Sequence, residues 1–306
     1  MSTRNKELTL KDKFSNTILN KRIRLIRLVS QLTFFFLLNG VIIGLSKIPF
    51  PAPVSLPAGS PFATVWGGFD AMQYILSKGQ FPFLALGVFF ITASLTGRFA
   101  CGWICSIGLW QDILSFFPLK KAKLDKPTNL GLQDIGKIFM WSSLLFTAWI
   151  GTQRPDVVDG LWTTIPYGVI DPAGTIMVTW FYVFFWDYLP GEISLLDTLD
   201  QLGPLFFWKS LVLILISFAS FKVPRFYCRF VCPTGALLGY VSPNSLLTIK
   251  RNPLKCSDGC QKCEDACPMG VPILDEDPEG ISNSLCINCG NCIDACSEAM
   301  SFKIRV

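Results

Sequence analysis

Four stretches of the chain are apolar over the length that a membrane-spanning helix needs. They cover residues 28–46, 79–97, 135–153 and 202–221. About 20 apolar residues are required, because the hydrocarbon core of a bilayer is about 30 Å thick and an α-helix rises about 1.5 Å per residue. The pattern predicts an α-helical membrane protein with four transmembrane helices in a membrane domain that spans residues 28–251.

A fifth apolar stretch is too short to cross a bilayer comfortably. It covers 172–186, only 15 residues between Asp171 and Asp187. We expect an interfacial or re-entrant segment here, with a helix on the membrane surface as the alternative. Lys209 lies near the start of the fourth span, where we expect its long side chain to snorkel to the interface; the alternative is a functional charge inside the membrane.

Lysine and arginine are concentrated in alternate loops. Eight precede the first span, six lie in 98–137 and nine follow from Lys222 onward, whereas 48–78 and 154–201 hold one each. Because these residues accumulate on the cytoplasmic side, we expect both termini, including the N-terminal segment 1–27, on the cytoplasmic face of the inner membrane. The excess of basic residues behind the net charge of +5 is then explained by the cytoplasmic segments, and we expect no nucleic-acid partner.

A short motif follows the second and the fourth span. The two copies read RFACGWICSIG (98–108) and RFYCRFVCPTG (225–235), and every shared residue is offset by 127 positions. The membrane domain therefore reads as two similar hairpins, since internal repeats place functional elements at corresponding positions. In a continuous helix the two cysteines of one copy would share a face, although Pro233 after Cys232 favours a helix end there.

Cysteine is abundant and histidine is absent. The chain has 12 cysteines and no histidine, which excludes histidine-ligated haem, Rieske centres and histidine-containing zinc sites. The tail reads CSDGCQKCEDACP from Cys256 and CINCGNCIDACS from Cys286. Runs of this kind supply three ligands to one [4Fe-4S] cluster and send their fourth cysteine to a second cluster.

This rule predicts two crossed ligand sets in a small C-terminal domain, residues 252–306. The first set is Cys256, Cys260, Cys263 and Cys296, and the second set is Cys286, Cys289, Cys292 and Cys267. We expect an α+β fold like that of bacterial two-cluster ferredoxins. A zinc module and a disulfide framework are the alternatives, but zinc ligand pairs usually stand farther apart and the cytoplasm is reducing.

The remaining four cysteines belong to the two repeated motifs and are Cys101, Cys105, Cys228 and Cys232. If hairpin packing brings them together, four thiolates suffice for a third iron–sulfur or metal site. The alternatives are a redox-active dithiol or metal-transfer site and plain structural packing of small buried side chains.

The four spans, the two Cys-x-x-x-Cys motifs and the double cluster motif together resemble the NapH and NosR type of membrane-bound ferredoxin-like proteins, and more distantly the CcoG family. The likeness covers essentially the whole chain. One departure is Ser106, which follows Cys105 where the family has proline. Neither the flavin domain of NosR nor the further C-terminal domain of CcoG has a counterpart in the sequence, so NapH is the nearest architecture.

The resemblance implies an iron–sulfur subunit that exchanges electrons between the quinone pool and a partner oxidoreductase. Such a protein is an electron-transfer component of a complex rather than a stand-alone enzyme, and its partners are membrane lipid, quinone or quinol, and other redox subunits. The alternative is a CcoG-like copper reductase or cofactor-assembly factor. Without histidine, a quinol proton needs another acceptor; Asp112 is a candidate, although its position also suits an acid at a surface helix end.

Overall fold

The computed structural model describes most of the chain. The described residues are 22–39, 48–57, 63–117, 122, 124, 126–153, 164–180, 195–256 and 259–305. The basic N-terminal segment up to residue 21, the end of the predicted first span (40–46) and the end of the short apolar stretch (181–186) lie outside them.

Four long helices fall on the predicted spans. They are α1 (Arg22–Leu38), α3 (Phe83–Thr96), α6 (Lys126–Gln153) and α8 (Leu195–Lys222). Only one helix in the described part of the chain, Pro204–Lys222, is both long and apolar enough to cross a membrane; Phe83–Thr96 is apolar but has 14 residues. The helical content is therefore as expected, whereas the four-span topology stays a prediction.

The outward faces of these helices are apolar. Large hydrophobic side chains are exposed along each of them, for example Phe36 on α1, Phe90 on α3, Leu145 on α6 and Phe218 on α8. Exposed apolar surface on this scale marks a contact with lipid or with another protein.

Each repeated motif forms the same broken helix. In the first copy α4 (Phe99–Trp103) stops and α5 (Ser106–Leu114) begins after Cys105; in the second, α9 (Phe226–Phe230) stops and α10 (Pro233–Val241) begins after Cys232. The two cysteines that precede the second helix have nearly the same extended backbone, with ψ of 126° and 114°. A continuous helix with both cysteines on one face is therefore wrong, and Ser106 adopts the turn without proline.

The segments between the long helices fold back into the structure. In the first hairpin, strands β1 (Ile48–Ala52) and β2 (Val65–Gly67) pair in parallel and lead into α2 (Gly68–Ser77). In the second, a 3-10 turn (Pro166–Val169) precedes α7 (Pro172–Gly174), which continues as a wider helical turn, Thr175–Trp180. Residues 171–177 are all buried, so a helix on the membrane surface is wrong for the described part of this stretch.

The C-terminal part has the expected α+β composition. Strands β3 (Leu247–Arg251) and β4 (Met300–Ile304) pair antiparallel, with Ile249 opposite Phe302. Two short helices, α11 (Lys262–Asp265) and α12 (Asn291–Ala295), lie between them, with 3-10 turns at Ser242–Asn244 and Pro253–Lys255 beside the first strand. Because β3 is needed to close this sheet, the unit begins before the predicted boundary at residue 252.

The N-terminal helix docks on this C-terminal unit. The backbone amides of Ile23 and Arg24, at the start of α1, donate hydrogen bonds to the Asp294 carboxylate at 3.2 and 2.9 Å. A carboxylate is favourable there because the first amides of a helix have no partner within the helix. The contact places the start of α1 and the C-terminal unit at the same end of the molecule.

Gly151 allows a close approach between two helices. A Cβ at Gly151 of α6 would lie 2.1 Å from the backbone oxygen of Leu76 in α2, whereas a Cβ at Gly87 of α3 would meet nothing within 4 Å. Small residues permit such backbone contacts between helices.

We therefore expect Gly151→Ala to destabilise the protein by about 1–3 kcal/mol through overpacking. Gly87→Ala adds the same methyl group to open space and is the matched control, with stability unchanged or slightly raised by helix propensity. The apparent unfolding temperatures of both variants in detergent, measured at one scan rate, test this. Equal unfolding temperatures would show that α2 and α6 can move apart with little loss of stability.

Candidate metal centres

The first quartet of thiols lies near the surface of the C-terminal unit. The thiol of Cys296 hydrogen-bonds with that of Cys260 and interacts electrostatically with Cys256, and Cys263 interacts with Cys296. Cys263 is buried, while the other three are partly exposed. Gly259, with a φ of 73°, gives the loop before Cys260 a left-handed turn that favours glycine.

The second quartet lines an apolar cavity. Four thiols face a small space whose other walls are aliphatic side chains and Met269; the thiols are Cys267, Cys286, Cys289 and Cys292. The loop that carries three of them is bent at Asn288 and Gly290, with φ of 48° and 76°. Burial raises the pKa of Cys286 to about 12 and that of Cys267 to about 11.

The two quartets exchange their last cysteines. Cys267 follows the first run in sequence but interacts with Cys289, and Cys296 follows the second run but interacts with Cys256 and Cys260. Eight thiols in two sets of four are a suitable donor set for two cubane clusters. Within the described ranges, no three Cys, Asp or Glu side chains are arranged to hold a single metal ion; cubane ligands, in contrast, bind at separate corners.

The third quartet is built from the two repeated motifs. All four of its thiols are buried, and each interacts electrostatically with others of the set, which consists of Cys101, Cys105, Cys228 and Cys232. The backbone amides of Ser55 and Gly108 donate to Cys105, and Gln111 Nε2 donates to the Cys228 Sγ at 3.1 Å. Packing of the two hairpins thus brings together two pairs of cysteines that are separated by 127 residues in the sequence.

The motif arginines are exchanged between the two copies. Arg98 Nη2 donates to the backbone oxygen of Cys228, and Arg225 Nη1 donates to the backbone oxygen of Cys101, both at 3.0 Å. The motif glycines make room for these side chains: a Cβ at Gly235 would lie 2.4 Å from Arg98 Nη2, and a Cβ at Gly108 would lie 2.9 Å from the Cys101 oxygen. This exchange explains why Arg and Gly recur with the cysteines.

Asp112 anchors one of these arginines. Its Oδ1 accepts from Arg225 Nε at 3.0 Å, and its Oδ2 lies 3.2 Å from Arg27 and accepts from Gln31 at 3.1 Å. Burial alone would raise the pKa of Asp112, but Arg225 and Arg27 hold it below its usual range. Asp112 is thus a buried, ionised partner of two guanidinium groups, and the expectation of a surface acid is wrong.

The third quartet is tied to the loop of the second quartet. Arg98 Nη1 donates to the backbone oxygen of Ser284 at 3.0 Å, and Trp103 Nε1 donates to that of Asn288 at 3.0 Å. A Cβ at Gly102 would lie 2.7 Å from the oxygen of Ile287. The backbone beside Cys101 therefore packs directly on the loop between Cys286 and Cys289.

A buried polar cluster lies on the other side of the third quartet. Tyr227 donates to Asp171 Oδ1 at 3.1 Å, Ser55 donates to the same oxygen at 3.1 Å, and the Tyr167 hydroxyl lies 2.8 Å from that of Tyr227. Asp171 also accepts the amides of Ala173 and Gly174. The sequence pattern did not predict this cluster, although the run Asp-Pro-Ala-Gly, an N-cap residue followed by proline, is a local signal for the capped turn.

Lys209 points toward this cluster. A Cβ at Gly174 would lie 3.1 Å from Lys209 Nζ, and the ammonium interacts electrostatically with Asp171 and Asp70. The expectation that Lys209 snorkels to the interface is therefore wrong. Its side chain instead turns inward to two carboxylates.

Comparison with known proteins gives matches to iron–sulfur families over all three quartets. A 4Fe-4S dicluster domain model matches residues 255–300. A 4Fe-4S binding domain model matches twice, at 79–124 and at 204–251, so one family describes both copies of the repeat.

Several curated proteins are similar to the chain. The ferredoxin-type protein NapH of Escherichia coli is 32% identical over 93 residues, which are 29% of this chain and 32% of NapH. The chain therefore resembles NapH-like 4Fe-4S ferredoxin-type proteins. The putative electron transport protein YccM of Escherichia coli is 24% identical over 83% of the chain, and RdxA of Cereibacter sphaeroides is 24% identical over 74%.

The NapH-like chain spans less than two thirds of these relatives: 65% of YccM, 46% of RdxA and 32% of NapH. No solved structure matches it. Resemblance to the NapH type is thus confirmed by these matches, while no match supports the CcoG family by name.

The buried ion pair of this NapH-like protein gives a stability prediction. We expect Arg225→Gln to destabilise it by roughly 3 kcal/mol, because removing one partner leaves a charge uncompensated in the interior. Lys250→Gln removes a cation from the exposed pair with Glu279 and is the control, with an expected loss of about 0–1 kcal/mol.

Chemical denaturation in detergent, followed by circular dichroism, measures both effects. If the two variants lost equal stability, Asp112 would be satisfied by Arg27 and Gln31 alone.

Proposed function

We propose that the protein is a membrane-bound electron-transfer subunit that relays electrons between the quinone pool and a partner redox protein. The observation that carries this proposal is the row of three thiol quartets, in which the third touches the loop of the second and the second exchanges a ligand with the first. A row of one-electron sites from the membrane part to the protein surface is what a relay requires.

The ligand sets of the proposed clusters follow the quartets. Cys256, Cys260, Cys263 and Cys296 would hold one [4Fe-4S] cluster, and Cys267, Cys286, Cys289 and Cys292 would hold a second. Cys101, Cys105, Cys228 and Cys232 would hold a third, which the 4Fe-4S binding domain matches at 79–124 and 204–251 support. When bound, each cluster supplies a carrier that gains or loses one electron.

The chain tunes these sites through hydrogen bonds and burial. Amide and side-chain donors to ligand sulfurs stabilise the reduced, more negative state of a cluster; Ser55, Gly108 and Gln111 are such donors at the third quartet. The walls of the second quartet are mostly apolar. Partial exposure of the first quartet gives a partner protein its nearest access to the relay.

A membrane location is supported by the apolar outer faces of α1, α3, α6 and α8. The start of α1 contacts the C-terminal unit through Asp294, so these two parts lie on one side of the proposed membrane. With the basic loops, this arrangement supports four spans with both termini and the two C-terminal clusters in the cytoplasm.

The quinone reaction balances with these carriers. Oxidation of one hydroquinone to the quinone releases two electrons and two protons. Two clusters held by the quartets would each take one electron, and the protons would pass to water. A partner redox protein would receive the electrons at the partly exposed first quartet.

Iron content tests the three ligand sets. We expect anaerobically purified protein to contain about twelve iron atoms, and about eight in the Cys101→Ser/Cys105→Ser variant, since each cubane holds four. The matched Cys256→Ser/Cys260→Ser variant should also fall to about eight. Iron and sulfide assays with EPR of the dithionite-reduced protein provide the measurement. About eight iron atoms in the unmodified protein would mean that the third quartet carries no cluster.

Electron entry is tested separately. We expect a short-chain hydroquinone to reduce the clusters of the iron-loaded protein in detergent. Reduction would lower the broad absorbance in the visible region and produce the EPR signals of reduced cubanes. Protein that dithionite reduces but no hydroquinone does would contradict the quinone assignment. Oxidation by copper ions without any quinol reaction would instead favour a metal reductase.

A further inference from the structure

A groove opens beside the third quartet at the cytoplasmic end of the proposed membrane domain. It has a volume of about 200 Å³ and is bounded by α6, α10 and the loop at 284–285. Cys228 and Cys232 form part of one wall, and Ser284 forms part of another, so the groove touches the third quartet and the loop just before Cys286.

The polar end of the groove carries hydrogen-bond donors. Arg98, Arg229 and Lys137 line it, and Arg98 and Arg229 are 3% and 9% exposed. The Nε atoms of both arginines are buried and have no hydrogen-bond partner among the described residues. A buried donor without a partner is costly, and a ligand with acceptor oxygens would relieve that cost.

The other end of the groove meets the apolar outer surface. Tyr240 lines it and accepts a hydrogen bond from Trp141 Nε1 at 3.3 Å. Along α6, Ile138, Trp141 and Leu145 are 65%, 53% and 64% exposed. At a spacing of three and four residues these side chains form one apolar strip, which runs from the mouth of the groove along the proposed lipid-facing side.

We propose that this groove binds the headgroup of a quinone, with the two carbonyl oxygens toward Arg98 and Arg229 and the isoprenoid tail along the α6 strip. The proposal rests on the proposed function and names the site where the quinone pool meets the relay. A ligand with an apolar tail and two polar acceptors matches the two ends of the groove. A redox-active ligand would also lie beside Cys228 and Cys232, which are ligands of the proposed third cluster.

A phospholipid phosphate is the rival occupant, because cations at a membrane interface also bind anionic headgroups. The two occupants differ in what they require of the groove. A phosphate needs only the cations, whereas a quinone must lie next to an electron acceptor, and the thiol wall supplies that position.

Photolabelling of the full-length, iron-loaded protein in nanodiscs tests the site. The probes are an azido-benzoquinone and an azido-naphthoquinone with short alkyl tails, followed by peptide mass spectrometry. We expect labelling of 133–141 and 236–240, and suppression of that labelling by the matching unlabelled quinone but not by excess cardiolipin. Suppression by cardiolipin alone, or labelling confined to other segments such as 164–177, would overturn the proposal.

A bulky substitution provides the second measurement. Ala236→Phe fills the groove from α10. The control is Gly131→Leu on α6, where a Cβ would meet nothing within 4 Å. We expect quinone binding at least roughly tenfold weaker in Ala236→Phe and unchanged in Gly131→Leu, with equal iron content. If Ala236→Phe fails to load iron, the photolabelling of the unmodified protein alone tests whether the quinone binds in this groove.

The outcomes separate the site from the function. Hydroquinone that reduces the clusters of the unmodified protein and of Ala236→Phe equally well would leave the electron relay intact and place the quinone elsewhere. Clusters that no hydroquinone reduces would contradict the proposed function itself.

Discussion

The exchange of two buried arginines between the repeated motifs is the interaction on which the rest of the structure depends. Arg98 and Arg225 each donate to the backbone oxygen of the first cysteine in the opposite copy. Because the acceptor is a backbone atom, it fixes the position of the chain and therefore of both thiols in each copy. These two contacts therefore fix the positions of the thiols in the third quartet. They also position the surface on which the loop of the second quartet packs.

The two arginines are neutralised differently, and this breaks the symmetry of the repeat. Arg225 pairs with Asp112, whereas no carboxylate pairs with Arg98 in the described part of the chain, and its other donor goes to Ser284. A buried guanidinium without a counter-ion is unfavourable. Thiolates bound to a cluster would provide negative charge on both sides of Arg98, at Cys228 and at Cys286, so cluster binding and the fold stabilise each other.

Sequence patterns predicted those structural features that depend only on residues close together in the chain. Cysteine spacing indicated the quartets, and apolar runs indicated the long helices, because both are local properties. The contacts of Asp112 with Arg225, of Asp171 with Tyr227 and of Lys209 with Asp171 escaped prediction, because the partners in each pair are more than thirty residues apart in the sequence. The turn at Cys105 forms without a local proline, and Arg225 of the other copy donates to the backbone oxygen of Cys101 in the helix before that turn.

The distribution of polar residues around α6 gives this helix one apolar face and one polar face. Ser143 and Thr147 are 8% and 0% exposed, whereas Leu145 and Trp149 are 64% and 61% exposed. An average around the helix mixes these two faces and lowers its apparent hydropathy. In a water-soluble protein the apolar face of a helix turns inward, but here it turns outward and the polar face packs inside. That reversal is the arrangement favoured when lipid surrounds the helices and hydrogen bonds must be satisfied within the protein.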